Sequence, residues 1–520
     1  MPKSLQLVLL PAEAFSDDLT RQAMAKLLNI DVQDIAHVNL LKRSVDARYK
    51  QIKVNVWADV YLAGEKIEPA VTTSFDYKNV SNRPPVIVVG AGPAGLFAAL
   101  RLIELGLKPV VLEQGKDVHQ RKIDIAQLNR NEGVNAISNY CFGEGGAGTF
   151  SDGKLFTRSK KKGNIRRILE IFYLNGATEN VLFEAAPHIG SDKLPQVVEN
   201  MINTITSNGG EVHFEAKLTD IFIENNKIKG CQIADGQVFD SNALILATGH
   251  SAHDIYELLH AKNITLEQKG FAMGVRVEHP QSLINTIQYG KNSDLMPAAT
   301  YNLVAQAEGR GVYSFCMCPG GHIVPAASAG NQVVVNGMSA EKRNSPFANA
   351  GIVVEIRPED IPADFQEFGV LAGLKFQQYV ENLAYKNNGG LGLTAPAQRL
   401  TDFVKGKLSD SLPKCSYLPG LISSPLHFWL PDMISTRLQN GFRQFESKMH
   451  GFLTNEAVVV GVESRTSSPI RISRNPETMQ HVDIQGLFPC GEGAGYAGGI
   501  TSSAMDGENA AEKVSEFIQI

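Results

Sequence analysis

Apolar and polar residues alternate at Ile52, Val54 and Val56, the period-two pattern of a half-buried strand. Residues 5–10 are an apolar run of strand length, and Asp17–Leu28 has helical spacing with Ser16 as its N-cap. Residues 1–80 therefore predict a small α+β domain. The segment Ser81-Asn82-Arg83-Pro84-Pro85 breaks structure and serves as a linker. The pattern then changes. Residues 86–89 are continuously apolar and β-branched, as in a parallel sheet buried on both faces. A helix from Pro93 to about Gly106 follows, and Lys108–Leu112 predicts a second strand. Residues 211–240 predict an antiparallel meander with turns at Glu224-Asn225-Asn226 and Asp235-Gly236. Residues 243–247 predict another buried strand. Longer mixed elements occupy the next stretch, among them a strand at 332–336 and a helix at 368–383. A last strand at 487–490, a glycine-rich loop and a helix at 502–517 close the pattern.

This order predicts an α/β protein in three parts. Residues 1–80 form the N-terminal α+β domain. Residues 84–262 and 482–520 form one discontinuous Rossmann-type domain. Residues 263–481 form an inserted α+β substrate or cap domain. No tandem repeat or low-complexity tract interrupts them.

Composition narrows the class. Hydrophobic residues make up 43% of the 520 and charged residues 20%, an ordinary soluble balance. A net charge of -5 gives no global attraction to nucleic acid or anionic membrane, so neither is expected as a partner. Six cysteines without regular spacing make no disulfide framework, and the N-terminus reads as lacking a signal peptide. Both point to the cytoplasm. Residues 84–100 carry no charge, but Gly90, Gly92, Pro93 and Gly95 inside them suit a strand, turn and helix better than a membrane span. Nothing in the sequence fixes the oligomeric state.

The chemistry centres on Gly90-Ala91-Gly92-Pro93-Ala94-Gly95. A pyrophosphate needs backbone N–H groups and a helix N-terminus close to it with no side chains between. Gly90 permits the turn, Gly92 the approach of the phosphates, and Gly95 the close packing of helix on strand. The second strand ends in Glu113, 18 residues after Gly95. Its carboxylate can accept from both hydroxyls of an adenosine ribose and would repel a 2′-phosphate. Residues 143–148 and 493–498 also match GxGxxG, but neither is followed by a helix, a strand and an acid at the right distance.

Ala247-Thr248-Gly249 ends a later strand and Gly491-Glu492 ends the last one. With the first loop, these resemble the fingerprints of the glutathione-reductase-like FAD superfamily, whose Gly-Asp is here Gly-Glu. A narrower resemblance rests on Arg43-Ser44-Val45-Asp46-Ala47-Arg48, the run from Phe142 to Leu155, Glu463-Ser464-Arg465-Thr466-Ser467-Ser468-Pro469 and the run from Gly491 to Ile500. Together they resemble the bacterial FAD-dependent or NAD(FAD)-utilizing dehydrogenases. The resemblance implies noncovalent FAD. The cofactor-binding set expected is Gly90, Gly92, Pro93, Ala94, Gly95, Glu113, Gln114, Gly146, Ala147, Lys217, Leu218, Ala247, Thr248, Gly249, Gly491, Glu492, Gly499, Ile500, Thr501 and Ser502. The amides of Ile500, Thr501 and Ser502 are expected to face the flavin edge where negative charge gathers on reduction.

Other candidates have plainer readings. Cys316-Met317-Cys318 does not have the C-x4-C spacing of disulfide reductases, and Gly146 stands where a partner for Cys141 would be. Buried, inert thiols are expected there. His322 adds no zinc-type ligand set, so no metal is expected. Six basic residues in 158–167 fit a solvated loop. His188 is the candidate acid–base group, because imidazole titrates near neutrality. The predicted function is an FAD-dependent oxidoreductase acting on a small organic substrate by hydride transfer, with NAD(P)H as candidate donor. The alternatives are a flavoprotein that modifies tRNA and a non-catalytic flavin-binding protein.

Overall fold

The computed structural model describes residues 2–48, 51–67, 71–157, 163–290 and 296–518. The N-terminal part is a three-stranded antiparallel sheet, with Lys53–Leu62 between Lys3–Leu9 and Ile35–Asp46. Alternate residues of the central strand, Val54, Val56, Ala58 and Val60, are buried beneath Met24 and Ala25 of the helix Asp17–Leu28. Ser16 caps that helix by accepting the Leu19 N–H. Ile35–Asp46 escaped the sequence reading because only Ile35 of its residues is fully buried, leaving no clean alternation. Arg43 of this strand donates through Nε to Glu184 at 2.8 Å, anchoring the module to the rest of the chain.

The central sheet is parallel, in the order Leu487–Pro489, Leu244–Leu246, Pro85–Val89, Lys108–Leu112, Glu211–His213. Its middle strands are buried on both faces, as their β-branched runs require. Glu211–His213 was expected in the meander and instead forms an edge of this sheet. The meander is Leu218–Glu224, Lys227–Ile233 and Val238–Asp240. Its turns fall at Asn225 and Asn226 and at Gly236, all at positive φ. The helix Pro93–Glu104 covers one face of the parallel sheet and packs against the C-terminal helix Ile500–Ile518. Their backbones are so close that a Cβ on Gly507 would meet the Ala94 carbonyl oxygen at 2.0 Å.

A seven-stranded sheet forms the remaining layer, in the order Val304–Ala307, Arg310–Cys318, Phe347–Ile356, Phe271–Pro280, Val458–Glu463, Ala395–Arg399, Leu421–Ser423. The helices Ala372–Lys386 and Asp432–Lys448 contribute to its core. The expected strand at 332–336 is displaced to Val335–Met338, paired with His322–Pro325. The expected helix at 368–383 starts at Ala372, because Gly369 at φ 55 interrupts the turns before it. Among the described residues no helix is long and apolar enough to cross a membrane.

Candidate functional site

The strand Pro85–Val89 delivers Gly90 at φ +102, where a Cβ would lie 2.4 Å from the Ala247 carbonyl oxygen. Gly95 sits beneath it, and a Cβ there would meet the Gly90 carbonyl oxygen at 1.9 Å. Gly92 differs. The sole neighbour a Cβ would find within range is the Gly146 Cα at 4.0 Å, so this residue borders open space. Gly92 is the N-cap of Pro93–Glu104, and no side chain caps that helix. The first intrahelical bond is from the Leu96 N–H to Gly92, so the amides of Ala94 and Gly95 lack an intrahelical acceptor.

Glu113 is buried and does more than the sequence suggested. Its Oε2 accepts the Ala91 N–H at 2.9 Å, and its Oε1 accepts those of Gly115 and Gly143 at 3.0 and 2.9 Å. One carboxylate thus ties three loops together at the edge of a cleft. Arg121 ties a fourth contact set. Its guanidinium is wholly buried and donates to the carbonyls of Asn139, Tyr140, Glu144 and Gly146. Burial lowers its pKa to about 10, against the attraction of Glu113. Arg121 carried no motif and was not singled out from sequence.

The cleft holds about 1410 Å³ including its open mouth. Of the expected residues, Gly90, Gly92, Pro93, Ala94, Glu113, Gln114, Gly146, Ala147, Leu218, Ala247, Thr248, Gly249, Gly491, Glu492, Gly499 and Ile500 line it. Gly95 supports Gly90 from below. Lys217 turns its ammonium to Asp254 at 2.9 Å. Thr501 donates its hydroxyl to the Leu155 carbonyl, and Ser502 hydrogen-bonds Gly498 and Gly499, so both side chains are occupied away from the cleft wall. The first intrahelical bond of Ile500–Ile518 runs from the Ser503 N–H to Gly499, which leaves the amides at 500–502 without intrahelical acceptors. His188 is off the wall altogether. Its Nε2 meets the Glu341 carbonyl at 2.9 Å, and burial, with Arg343 nearby, lowers its pKa. The six-cation stretch lies outside the described residues at 158–162. Its last member, Arg167, pairs with Glu104 and Glu508.

Several wall residues were missed. His250 immediately follows Ala247-Thr248-Gly249, and that adjacency was the available signal. Its Nε2 is 3.5 Å from Glu492 Oε2, its Nδ1 is buried without a partner, and burial pushes its pKa down to about 4. Glu492 moves the other way, up to about 7, through burial and the negative charge of Cys316. Glu463 and Arg465 were quoted only as part of a motif. Glu463 pairs with Arg276 at 2.7 Å, both side chains essentially unexposed, and burial raises its pKa to about 7 against that attraction. Arg465 makes a two-pronged bond to the buried Glu381, Nε–Oε1 2.9 Å and Nη2–Oε2 3.0 Å.

This wall suits a dinucleotide. Gly249, Gly498 and Gly499 would present a Cβ to open space, as Gly92 nearly does, so backbone borders the cleft where side chains would fill it. Two helix N-termini lie on it, and the buried Nδ1 of His250 lacks a partner among the described residues. Fold and site together define the class, a flavoprotein oxidoreductase with a Rossmann-type FAD domain. Residues 84–255 match the family described as pyridine nucleotide-disulphide oxidoreductase. Residues 270–466 match the C-terminal domain-like family of FAD-dependent proteins, and residues 1–61 a domain of unknown function. The chain belongs to a family of FAD-dependent oxidoreductases. It is 40% identical over 97% of both chains to an uncharacterized protein of Clostridium beijerinckii. It is also 27% identical to the tRNA uridine 5-carboxymethylaminomethyl modification enzyme MnmG of Finegoldia magna, over 42% of this chain and 36% of that protein. Similar solved structures include the flavin-dependent brominase Bmp2, with 14% identity, TM-score 0.38 and coverage of 84% of this chain and 79% of that one. A flavoprotein/dehydrogenase from Cytophaga hutchinsonii has 12% identity, TM-score 0.34 and the same two coverages.

Proposed function

We propose that the cleft binds FAD noncovalently in a glutathione-reductase-like arrangement. The adenosine ribose lies at Glu113, the pyrophosphate at the Gly90–Gly95 loop, and the ring toward Glu463 and the helix start at Ile500. The observation that carries this is Gly92, a backbone facing open space at an uncapped helix N-terminus with a buried carboxylate alongside. In this reading residues 84–262 and 482–520 are the FAD domain, 263–481 the substrate domain and 1–80 a separate module. FAD, when bound, supplies two-electron transfer, here to or from a small organic substrate. The chain's own work is to hold the phosphates on backbone amides, present the 500–502 amides to the ring edge and shield the ring with the two-stranded sheet of His322–Pro325 and Val335–Met338. NAD(P)H is the proposed donor and must dock without a dinucleotide fold of its own.

Adding NADH and NADPH separately to the anaerobic yellow protein tests this. Absorbance near roughly 450 nm should bleach with one of them. Bleaching by dithionite but by neither nucleotide would remove NAD(P)H from the scheme. A tRNA substrate has the partial likeness to MnmG in its favour and the net charge of -5 against it, so the small-molecule reading stands first.

Glu113→Ala removes the ribose acceptor and three loop anchors together. FAD affinity should fall by about 1.5–3 kcal/mol, or roughly 10- to 150-fold in Kd, on titration of the apoprotein. An unchanged Kd would mean that Glu113 serves only the loops.

A further inference from the structure

Cys316 and Cys318 end the strand Arg310–Cys318, where pairing with Phe347–Ile356 slips between Phe315 and Cys318. The slip takes Cys316 to φ 45. Cys318 Sγ lies 3.3 Å from the Cys316 carbonyl oxygen. Two cations converge on the pair. Lys154 Nζ is 3.8 Å from Cys316 Sγ and 3.6 Å from Cys318 Sγ. Arg276, fully buried, donates Nη2 to the Cys316 carbonyl at 2.8 Å and lies 3.7 Å from Cys318 Sγ. Structural thiols in apolar packing gather no such company.

Neither sulfur lines the cleft, but Arg276, which touches both cysteines, backs onto its wall. Gly337 and Glu463 line the wall, and both press on Arg276. A Cβ on Gly337 would meet Arg276 Nη2 at 2.3 Å, and Glu463 holds Nη1 at 2.7 Å. Glu492, also on the wall, is close enough to feel the charge of Cys316. Cys316 is partly exposed and Cys318 buried, the usual division between an attacking and a resolving sulfur. These residues lie outside 84–255, the stretch that matches the disulphide oxidoreductase family, and Cys141 within that stretch has glycine where its partner would stand.

We propose that Cys316 and Cys318 are a redox-active dithiol that exchanges two electrons with FAD in the cleft, resting on the FAD reading above. The Cys316 thiolate and the Cys318 thiol give up two electrons, an S–S bond forms, and the Cys318 S–H bond breaks. The two electrons and that proton are taken up by the oxidised ring. Run backward, the same step returns both thiols. The cationic setting supports the first sulfur: contact with Cys318, then Lys154 and Arg276, hold the Cys316 thiol well below its ordinary value against burial, while the Cys318 thiol is pushed up.

The holoprotein is oxidised mildly with diamide, freed of reagent and titrated anaerobically with dithionite. The parent should take up about four electrons per flavin and Cys318→Ser about two, each couple accepting a pair. Peptide mass spectrometry of the oxidised parent should find the 316–318 segment lighter by about 2 Da, the two hydrogens lost to one disulfide. Cys318→Ala replaces the serine variant if a buried hydroxyl costs the fold. A two-electron endpoint in both proteins, or an unshifted peptide, overturns the proposal. A colourless parent protein overturns the FAD reading, and the exchange with it, and its spectrum shows this before any titration.

Discussion

Gly92→Val yields a folded protein without flavin. The backbone at Gly92 has φ -76 and ψ -177, which any residue adopts, so the substitution strains nothing locally. A Cβ there meets only the Gly146 Cα at 4.0 Å, so the interior is not overfilled. The added methyls enter the cleft where the proposed FAD site brings phosphates to backbone amides, so the loss of binding should fall on the cofactor alone. Gly95→Val is the contrast. Its Cβ would lie 1.9 Å from the Gly90 carbonyl, so helix and strand must part and the fold itself suffers. The expected outcome is parental circular dichroism with no absorbance from flavin for Gly92→Val, and loss of soluble protein for Gly95→Val. A Gly92→Val protein that stays yellow would remove the phosphates from this loop.

The second large effect is on stability. Arg276→Met strands Glu463 in a site where neither side chain sees solvent, and the loss should be about 3–5 kcal/mol by urea unfolding. Four further hydrogen bonds go with it, to Asn336, Asn349, the Cys316 carbonyl and Cys318 Sγ. The deficit depends on pH in a definite direction. Burial already raises the Glu463 pKa to about 7, and removing the cation raises it further. The folded variant then binds a proton that the unfolded chain releases at ordinary carboxylate values. Folding is favoured as pH falls through that interval and disfavoured as it rises. The variant should therefore be less impaired near about pH 5 than near about pH 8. Arg276→Met combined with Glu463→Leu should recover most of the loss. Equal deficits at the two pH values would mean that Glu463 is not the group left uncompensated.

What the sequence made legible follows from how local the signal is. The Gly90 loop, its flanking strands and Glu113 lie within 29 residues, and each has a residue-level reason that survives alone. Lys108–Leu112 and Asp17–Leu28 were bounded correctly because a buried run and a capped helix mark their own ends. Glu211–His213 was misassigned because three residues with intermediate burial carry no periodicity, and only the partner strand decides which sheet they join. Arg121 and Arg276 were invisible for the same reason. An arginine inside a helix or strand reads as a solvated face until the carbonyls and carboxylates that surround it are brought in from elsewhere in the chain. His188 failed in the opposite way. It has suitable chemistry, but its ring is committed to the Glu341 carbonyl, away from the cleft.

The parallel sheet has one further consequence, for synthesis. Leu244–Leu246 is flanked by Pro85–Val89 and by Leu487–Pro489, and the latter leaves the ribosome only after the whole seven-stranded layer has been made. Until then the second of these edges is bare, and the Gly491–Ile500 side of the cleft does not exist. A chain without its final strand and helix can build the Gly90–Gly95 side of the cleft but cannot close it.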